Sequence, residues 1–289
     1  MSKDISYFAV FDGHGFAGLE ASNLANQSIT NYLIENSAKL STLTDPKDMT
    51  KFMTTMCLKV QSIFKETKNC DYTLSGTCAV MVLIINTMCW VANLGDSRAV
   101  IGNTDKDGTT SALEISIDHK PFRKEENERI VKAGGKIEKS LVDDREVGPL
   151  RVWKADEDVP GIAITRSLGD LIAHKIGVIA EPEVTWKELD NDDKFIVIGS
   201  DGVWDVMSSA EAVGFILQCG SMEEAAKKMV AECRERWDLL NEIKRKQTQI
   251  YLDAQESDKK KQQEKMNQLE KNIVCDDITV VVAFLQALE

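Results

Sequence analysis

The sequence predicts an α+β domain with antiparallel strand pairing. Three observations carry this. Short apolar runs rich in Val and Ile come in clusters. Stretches with apolar residues every three or four positions form separate groups between those clusters. The regular strand–helix–strand alternation that builds a parallel sheet is missing.

The elements follow in order. Residues 7–11 are a short apolar run that stops at Asp12-Gly13-His14-Gly15, a strand running into a loop. Ala17, Ala21, Leu24, Ala25, Ile29 and Leu33 then recur at helical spacing. A second amphipathic helix follows Pro46, with Met49, Phe52, Met53, Met56, Val60, Ile63 and Phe64 on one face. Its methionines read as core packing.

Strand signals dominate residues 72–117. Residues 72–95 carry no charge, but Asn86-Thr87 interrupts the apolar run, so two buried strands and a turn fit better than a membrane span of roughly 20 residues. Pro121 and the acidic Glu125-Glu126 open a short helix that Gly134-Gly135 ends. Residues 195–198 form another apolar run before Gly199-Ser200-Asp201-Gly202. Ser208 with Glu211, and Ser221 with Glu224, have the spacing of capping boxes. Residues 242–271 are Lys-, Gln- and Glu-rich, a solvated helix or an insertion, and residues 280–285 are a last strand entered from Asp276-Asp277.

Composition narrows the function classes. The chain of 289 residues has 35 Lys and Arg against 47 Asp and Glu, a net charge of −12. That balance repels phosphate-rich surfaces, which argues against nucleic-acid binding and anionic membranes. Seven cysteines, an odd number without a Cys-x-x-Cys pair, fit reduced thiols rather than a disulfide framework. His14, His119 and His174 do not cluster, so a histidine-based zinc site is disfavoured. No secretory signal precedes Asp12, and a cytoplasmic or nuclear, non-secreted protein is expected.

The chemical signal is acidic. Asp12 and Asp201 end apolar runs, Asp276 precedes one, Asp118 follows residues 113–117, and Asp205 lies four residues after Asp201. A carboxylate beside a buried strand is costly unless a positive charge neutralises it. With few His or Cys ligands, the natural partner is a hard cation, Mg²⁺ or Mn²⁺ ahead of Ca²⁺. Gly13 and Gly202 let a carbonyl or water approach such an ion. The alternative for each Asp taken singly is a turn or helix cap.

Two literal motif matches lose on context. Gly13-His14-Gly15-Phe16-Ala17-Gly18 satisfies the dinucleotide fingerprint, but Asp12 would face the pyrophosphate, and helix continues where a second strand is needed. Residues 103–108 with Glu114 approximate a calcium loop, yet their flanks are strand-like, so a polar hairpin is expected.

Taken in order, the motifs resemble a family. YFAVFDGHG at 7–15, SGT at 75–77, ANLGDSRAV at 92–100, DHKP at 118–121 and AGG at 133–135 are similar to metal-dependent protein serine/threonine phosphatases of type 2C. So are PGIAITRSLGD at 160–170, AEPEV at 180–184, SDGVWDVM at 200–207 and DDITVV at 276–281.

The resemblance implies two packed antiparallel β-sheets flanked by helices, an α/β/β/α sandwich. It implies a single catalytic domain over 1–289 with a charged helical insertion at about 242–271. It also implies a dinuclear Mg²⁺ or Mn²⁺ centre. Asp12 matches the bridging ligand, Gly13 supplies a carbonyl, and Asp201 and Asp276 match the other carboxylates. Asp118 and Asp205 match a further, weaker site for a third ion, and His14 matches the general acid. The expected substrates are phosphorylated proteins, and the expected state is a monomer. His119 and Arg166 read as structural, His174 as surface and Trp204 as core.

The chain departs from the family pattern in places. The N-terminal strand with a phosphate-binding Arg is missing before Asp12, Phe16 stands where Gly is usual, and Asp277 stands where Asn is common. The first departure keeps open a weakly active or inactive relative that binds phosphoproteins as a regulatory module.

Overall fold

The computed structural model describes residues 5–142, 145–255, 261, 264, 266–267 and 275–285. Its first strand, β1 (Ile5–His14), pairs along its whole length with β2 (Gly76–Ile85). It therefore extends beyond the expected 7–11, and Asp12 lies inside the ladder opposite Cys78. Beyond β2 come β3 (Met88–Leu94) and then β10 (Glu183–Glu188), all antiparallel. The short β9 (Leu168–Gly169) also pairs with β2. The second sheet has the order β12 (Val280–Phe284), β11 (Asp193–Gly199), β4 (Arg98–Thr104), β5 (Thr110–Glu114).

The two sheets pack face to face. Val10, Val80, Val82 and Val91 of the first meet Ile101, Ile196 and Ile198 of the second. Because β-strand side chains alternate, the other face of β1 and β2 is apolar too, through Tyr7, Ala9, Phe11, Ala79, Met81 and Leu83. Strand β2 is thus covered on both sides, which is why its sequence is continuous rather than alternating.

Helices α1 (Gly18–Glu35) and α3 (Pro46–Glu66), with the single turn α2 (Ser37–Leu40) between them, cover the first sheet. Met49, Phe52, Met53 and Met56 of α3 are buried, each contributing about 1.5–3 kcal/mol. The helix is opened by Pro46 at its first position and by Asp45, whose side chain accepts from the amides of Lys47 and Asp48. Helices α6 (Ser209–Leu217) and α7 (Met222–Gln255) cover the second sheet through Val213, Ile216, Met229 and Cys233. The layers are therefore helix, sheet, sheet, helix, as expected.

Ser208 and Glu211 form the full capping box. The Ser221 box forms by half: Ser221 Oγ accepts from Glu224 N, but the Glu224 carboxylate reaches back to Gly220 N at 2.8 Å. Helix α4 (Lys124–Lys132) starts three residues after Pro121 and gives way to Gly134 at φ +87°. The charged stretch expected at 242–271 continues α7 without a break as far as Gln255; most of the remainder lies outside the described residues.

One unit was not expected. Strands β6 (Gly135–Val142), β7 (Arg145–Lys154) and β8 (Glu157–Ile162) make a separate three-stranded antiparallel sheet. Residues 103–108 run from the end of β4 into a hairpin loop in which Asp105 Oδ1 accepts from the amides of Asp107 and Thr109, so the calcium-loop match is a polar turn. Among the described residues, no helix is long and apolar enough to cross a membrane.

Candidate metal centre

Several strands deliver an acid to the same end of the sandwich. Asp12 sits near the end of β1, Asp96 follows β3, Asp201 opens the short α5 (Asp201–Trp204) after β11, and Asp276 precedes β12. All four line one cavity of about 420 Å³, together with Gly13 and His14. Local backbone sets these positions. Gly95, at φ +100°, turns the chain from β3 into Asp96 where a Cβ would strike Cys78 Sγ. A Cβ on Gly13 would lie 2.0 Å from Gly18 O, so only glycine lets α1 start against the end of β1.

The electrostatics follow from this crowding. The Asp201 carboxyl is pushed well above the usual range by burial and then by the charges of Asp96, Asp276 and Asp12. Asp12 is raised by burial and by Asp276 and Asp96, although a hydrogen bond with Asp201 works the other way. Burial raises Asp276 and Asp205 as well. Asp201 Oδ1 is buried with no hydrogen-bond partner in the protein. A buried acceptor without a donor, inside a group of like charges, fits an oxygen-liganded cation.

Among the described residues, no three His, Cys, Asp or Glu side chains close around a single point as a one-ion cage. The acids are instead spread along the cavity wall. Cys78 also lines the cavity, but burial lifts its thiol well above the usual range and it donates to Asp96 Oδ1 at 3.1 Å. A protonated thiol offers no soft ligand.

His14 Nε2 lies 2.7 Å from Asp170 Oδ2, which also accepts from Ser167 Oγ at 2.5 Å. Burial alone would lower the His14 pKa; the charge and hydrogen bond of Asp170 outweigh it, and the net shift is upward. The ring stays 31% exposed, so a proton held on it can reach a group in the cavity.

Asp12, Gly13, His14, Asp201 and Asp276 line one cavity, and Asp118 is not among its lining residues. Both Asp118 oxygens are held by Arg98, with Nε at 2.9 Å and Nη2 at 2.8 Å. Asp118 is thus held as a bidentate pair, and Asp96 lines the cavity. Asp205 is not among the lining residues and lies within range of the charges of Lys120 and Asp96.

The supporting residues behave as follows. His119 is fully buried between Gly95 and Glu183, and Arg166 grips the buried Glu126, so both are structural. Trp204 is in the core and donates to Gly199 O. His174 is not a surface residue: it is half-buried, against Ser167 O at 3.1 Å and Gln61 at 3.4 Å. It sits on the short 3₁₀ turn Ala173–Ile176 packed beneath Asp170.

Arg151 enters the cavity from β7, and Pro160, Gly161 and Ile162 form the facing rim. Among the cavity's lining residues Arg151 supplies the one Lys or Arg side chain; its Nη1 donates to Gly161 O at 2.6 Å.

Comparison with known proteins agrees with this arrangement. The protein phosphatase 2C family model matches residues 1–238, which takes in Asp12, Asp96 and Asp201 but stops short of Asp276. "Probable protein phosphatase 2C 61" of Arabidopsis thaliana is 35% identical over 229 residues, covering 79% of this chain and 68% of the relative. "Probable protein phosphatase 2C 12" of Oryza sativa subsp. japonica is 40% identical over 169 residues, covering 58% of this chain and 43% of that protein.

Among solved structures, a serine-threonine phosphatase 2C from Toxoplasma gondii superposes with a TM-score of 0.72 at 19% identity, covering 98% of this chain and 85% of that one. A C. elegans sex determining protein superposes with a TM-score of 0.66 at 21% identity, covering 98% and 57%. At those identities the likeness speaks for the fold alone. The match over residues 1–238 and the similarity to the Arabidopsis relative settle the classification: this chain belongs to the protein phosphatase 2C family.

Proposed function

We propose that the chain is a metal-dependent protein serine/threonine phosphatase that hydrolyses phosphoserine and phosphothreonine in proteins. The observation that carries this reading is the convergence of Asp12, Asp96, Asp201 and Asp276 on one cavity with His14 in its wall. Family membership supports the same reading.

Asp12, Asp201, Asp276 and the Gly13 carbonyl are the residues to hold a dinuclear Mg²⁺ or Mn²⁺ centre. Bound there, the cations neutralise phosphate oxygens and lower the pKa of water so that a nucleophile is available near neutral pH. The chain's own residues do the rest. Arg151 lines the same cavity and is the side chain there that can offer N–H donors to a phosphate.

His14 holds a proton for the departing serine or threonine oxygen, whose alkoxide is otherwise a poor leaving group. Asp170 orients that ring and favours its protonated form. No cysteine nucleophile is required, consistent with the burial of Cys57, Cys78, Cys89 and Cys233.

The test is release of phosphate from a phosphothreonine peptide by the purified chain with Mn²⁺, and its loss on chelation and in Asp12→Ala and Asp201→Ala. A well-folded chain that binds the peptide without turnover, with either metal, would favour the regulatory module instead.

A further inference from the structure

Phe16 is a large apolar residue that neither the core nor the cavity uses. Its side chain is 106% exposed, so it packs on nothing in the chain. A lone exposed apolar residue is ordinary on a protein surface. Phe16 has company: Leu19, three residues further on in the first turn of α1, and Leu74, which lines the cavity, are exposed as well.

The backbone beneath Phe16 is fixed on both sides. Gly15, at φ +80°, lies so close to the Leu74–Ser75 segment that a Cβ there would come 2.4 Å from Leu74 O and 2.6 Å from Ser75 Oγ. Ala17 is buried, and its amide donates to Ser75 Oγ at 3.0 Å. The Gly18 amide donates to Gly15 O at 3.2 Å, which closes the turn. Phe16 is thus held out from the body of the chain by an anchored turn. An aromatic ring on a fixed backbone loses little conformational freedom when a partner covers it.

The path of the substrate says what covers it. His14 gives its proton to the oxygen that joins phosphorus to the substrate's Ser or Thr. The rest of the substrate polypeptide hangs from that oxygen, so it runs past His14 as it leaves the cavity. His14 is followed directly by Gly15, which lines the cavity with Leu74, and then by Phe16.

We propose that Phe16 is a specificity-determining residue, whose ring receives an apolar side chain of the substrate within two residues of the phosphorylated Ser or Thr. This rests on the phosphatase reading above. Covering the ring takes apolar surface of both partners out of water, a gain open only to substrates that carry such a side chain.

The test compares two phosphothreonine peptides, identical except for leucine or glutamine at the two positions on each side of the phosphothreonine. A third substrate, p-nitrophenyl phosphate, has no flanking chain and reports on the cavity alone. The wild-type chain in Mn²⁺ is expected to favour the leucine peptide about tenfold in kcat/KM. Phe16→Gly should lose most of that preference and leave hydrolysis of p-nitrophenyl phosphate unchanged, and Phe16→Leu should keep part of the preference. Phe16→Ser answers the same question should Phe16→Gly fail to fold. A wild-type chain without the preference, a Phe16→Gly chain that retains it in full, or equal losses on all three substrates would overturn the proposal. A wild-type chain that hydrolyses none of the three with Mn²⁺ or Mg²⁺ would overturn the phosphatase reading, and this inference with it.

Discussion

His14 and Asp170, 156 residues apart in sequence, meet at 2.7 Å on the wall of the acidic cavity. Asp170 is itself fixed by Ser167 and by the hydrogen bond its backbone N–H donates to Ser75 O, in a backbone with φ +44°. The pair defines what a proton donor in this cavity must have: a ring held in place and a pKa above that of a free histidine.

Asp170→Asn should therefore lower the His14 pKa. A general acid works only while protonated, so the alkaline limb of kcat against pH is expected to move to lower pH. The loss should be about 10- to 100-fold on a phosphothreonine peptide. It should be much smaller on p-nitrophenyl phosphate, whose leaving group needs no proton. An unmoved alkaline limb with equal losses on both substrates would assign the pair a purely structural role.

Arg151→Ala should raise KM about tenfold or more with a smaller change in kcat, because the guanidinium holds the phosphate in ground state and transition state alike. Arg151→Lys should recover part of the loss. Steady-state kinetics on the same peptide read this directly, and an unchanged KM would remove Arg151 from the phosphate site.

The crowded carboxylates give the metal-free chain a characteristic pH dependence. Asp12, Asp201, Asp205 and Asp276 have folded pKa values above the ordinary carboxylate range, so the folded chain holds protons that the unfolded chain has released. Stability then falls as pH rises from about 4 through the raised values. Thermal melting in chelator should show a lower Tm at pH 8 than at pH 5.5, and saturating Mn²⁺ should abolish the difference. Asp201→Asn should raise the chelator Tm at pH 8 and weaken the Mn²⁺ response.

Glu126 works in the opposite sense. Its side chain is fully buried, with Arg129, Arg166 and Thr165 as partners, and it is held well below the usual range. Burial opposes that shift and the hydrogen bonds from Arg129 and Arg166 overcome it. Its contribution is complete above the unfolded value near 4.3 and is lost as pH falls below that. Glu126→Gln leaves two guanidinium groups without their carboxylate and should cost about 3–5 kcal/mol in urea unfolding at pH 7.

Much of this was legible from local pattern. Asp12, Asp201 and Asp276 stand beside strong apolar strands, and a charge placed there needs a reason. Asp96 carried the same signal at the end of 88–94 and went unassigned, while Asp118 carried it and was assigned to a further metal site. What separates them is Arg98, whose reach to Asp118 is a fact of the folded second sheet rather than of any local spacing. Arg151 and Asp170 depend on contacts between distant segments. The three-stranded sheet was missed because β7 buries only Val152 fully, and so shows little alternation for a strand reading to use.

The account rests on Asp12, Asp201 and Asp276 sharing cations, and a crystal grown or soaked in Mn²⁺ tests it most directly. Anomalous scattering should show two Mn²⁺ ions in the cavity, with carboxylate oxygens of all three residues at coordination distance and Asp201 Oδ1 no longer unpartnered. A crystal in which Mn²⁺ leaves this cavity empty, with Asp12 and Asp201 still hydrogen-bonded to each other, would contradict it.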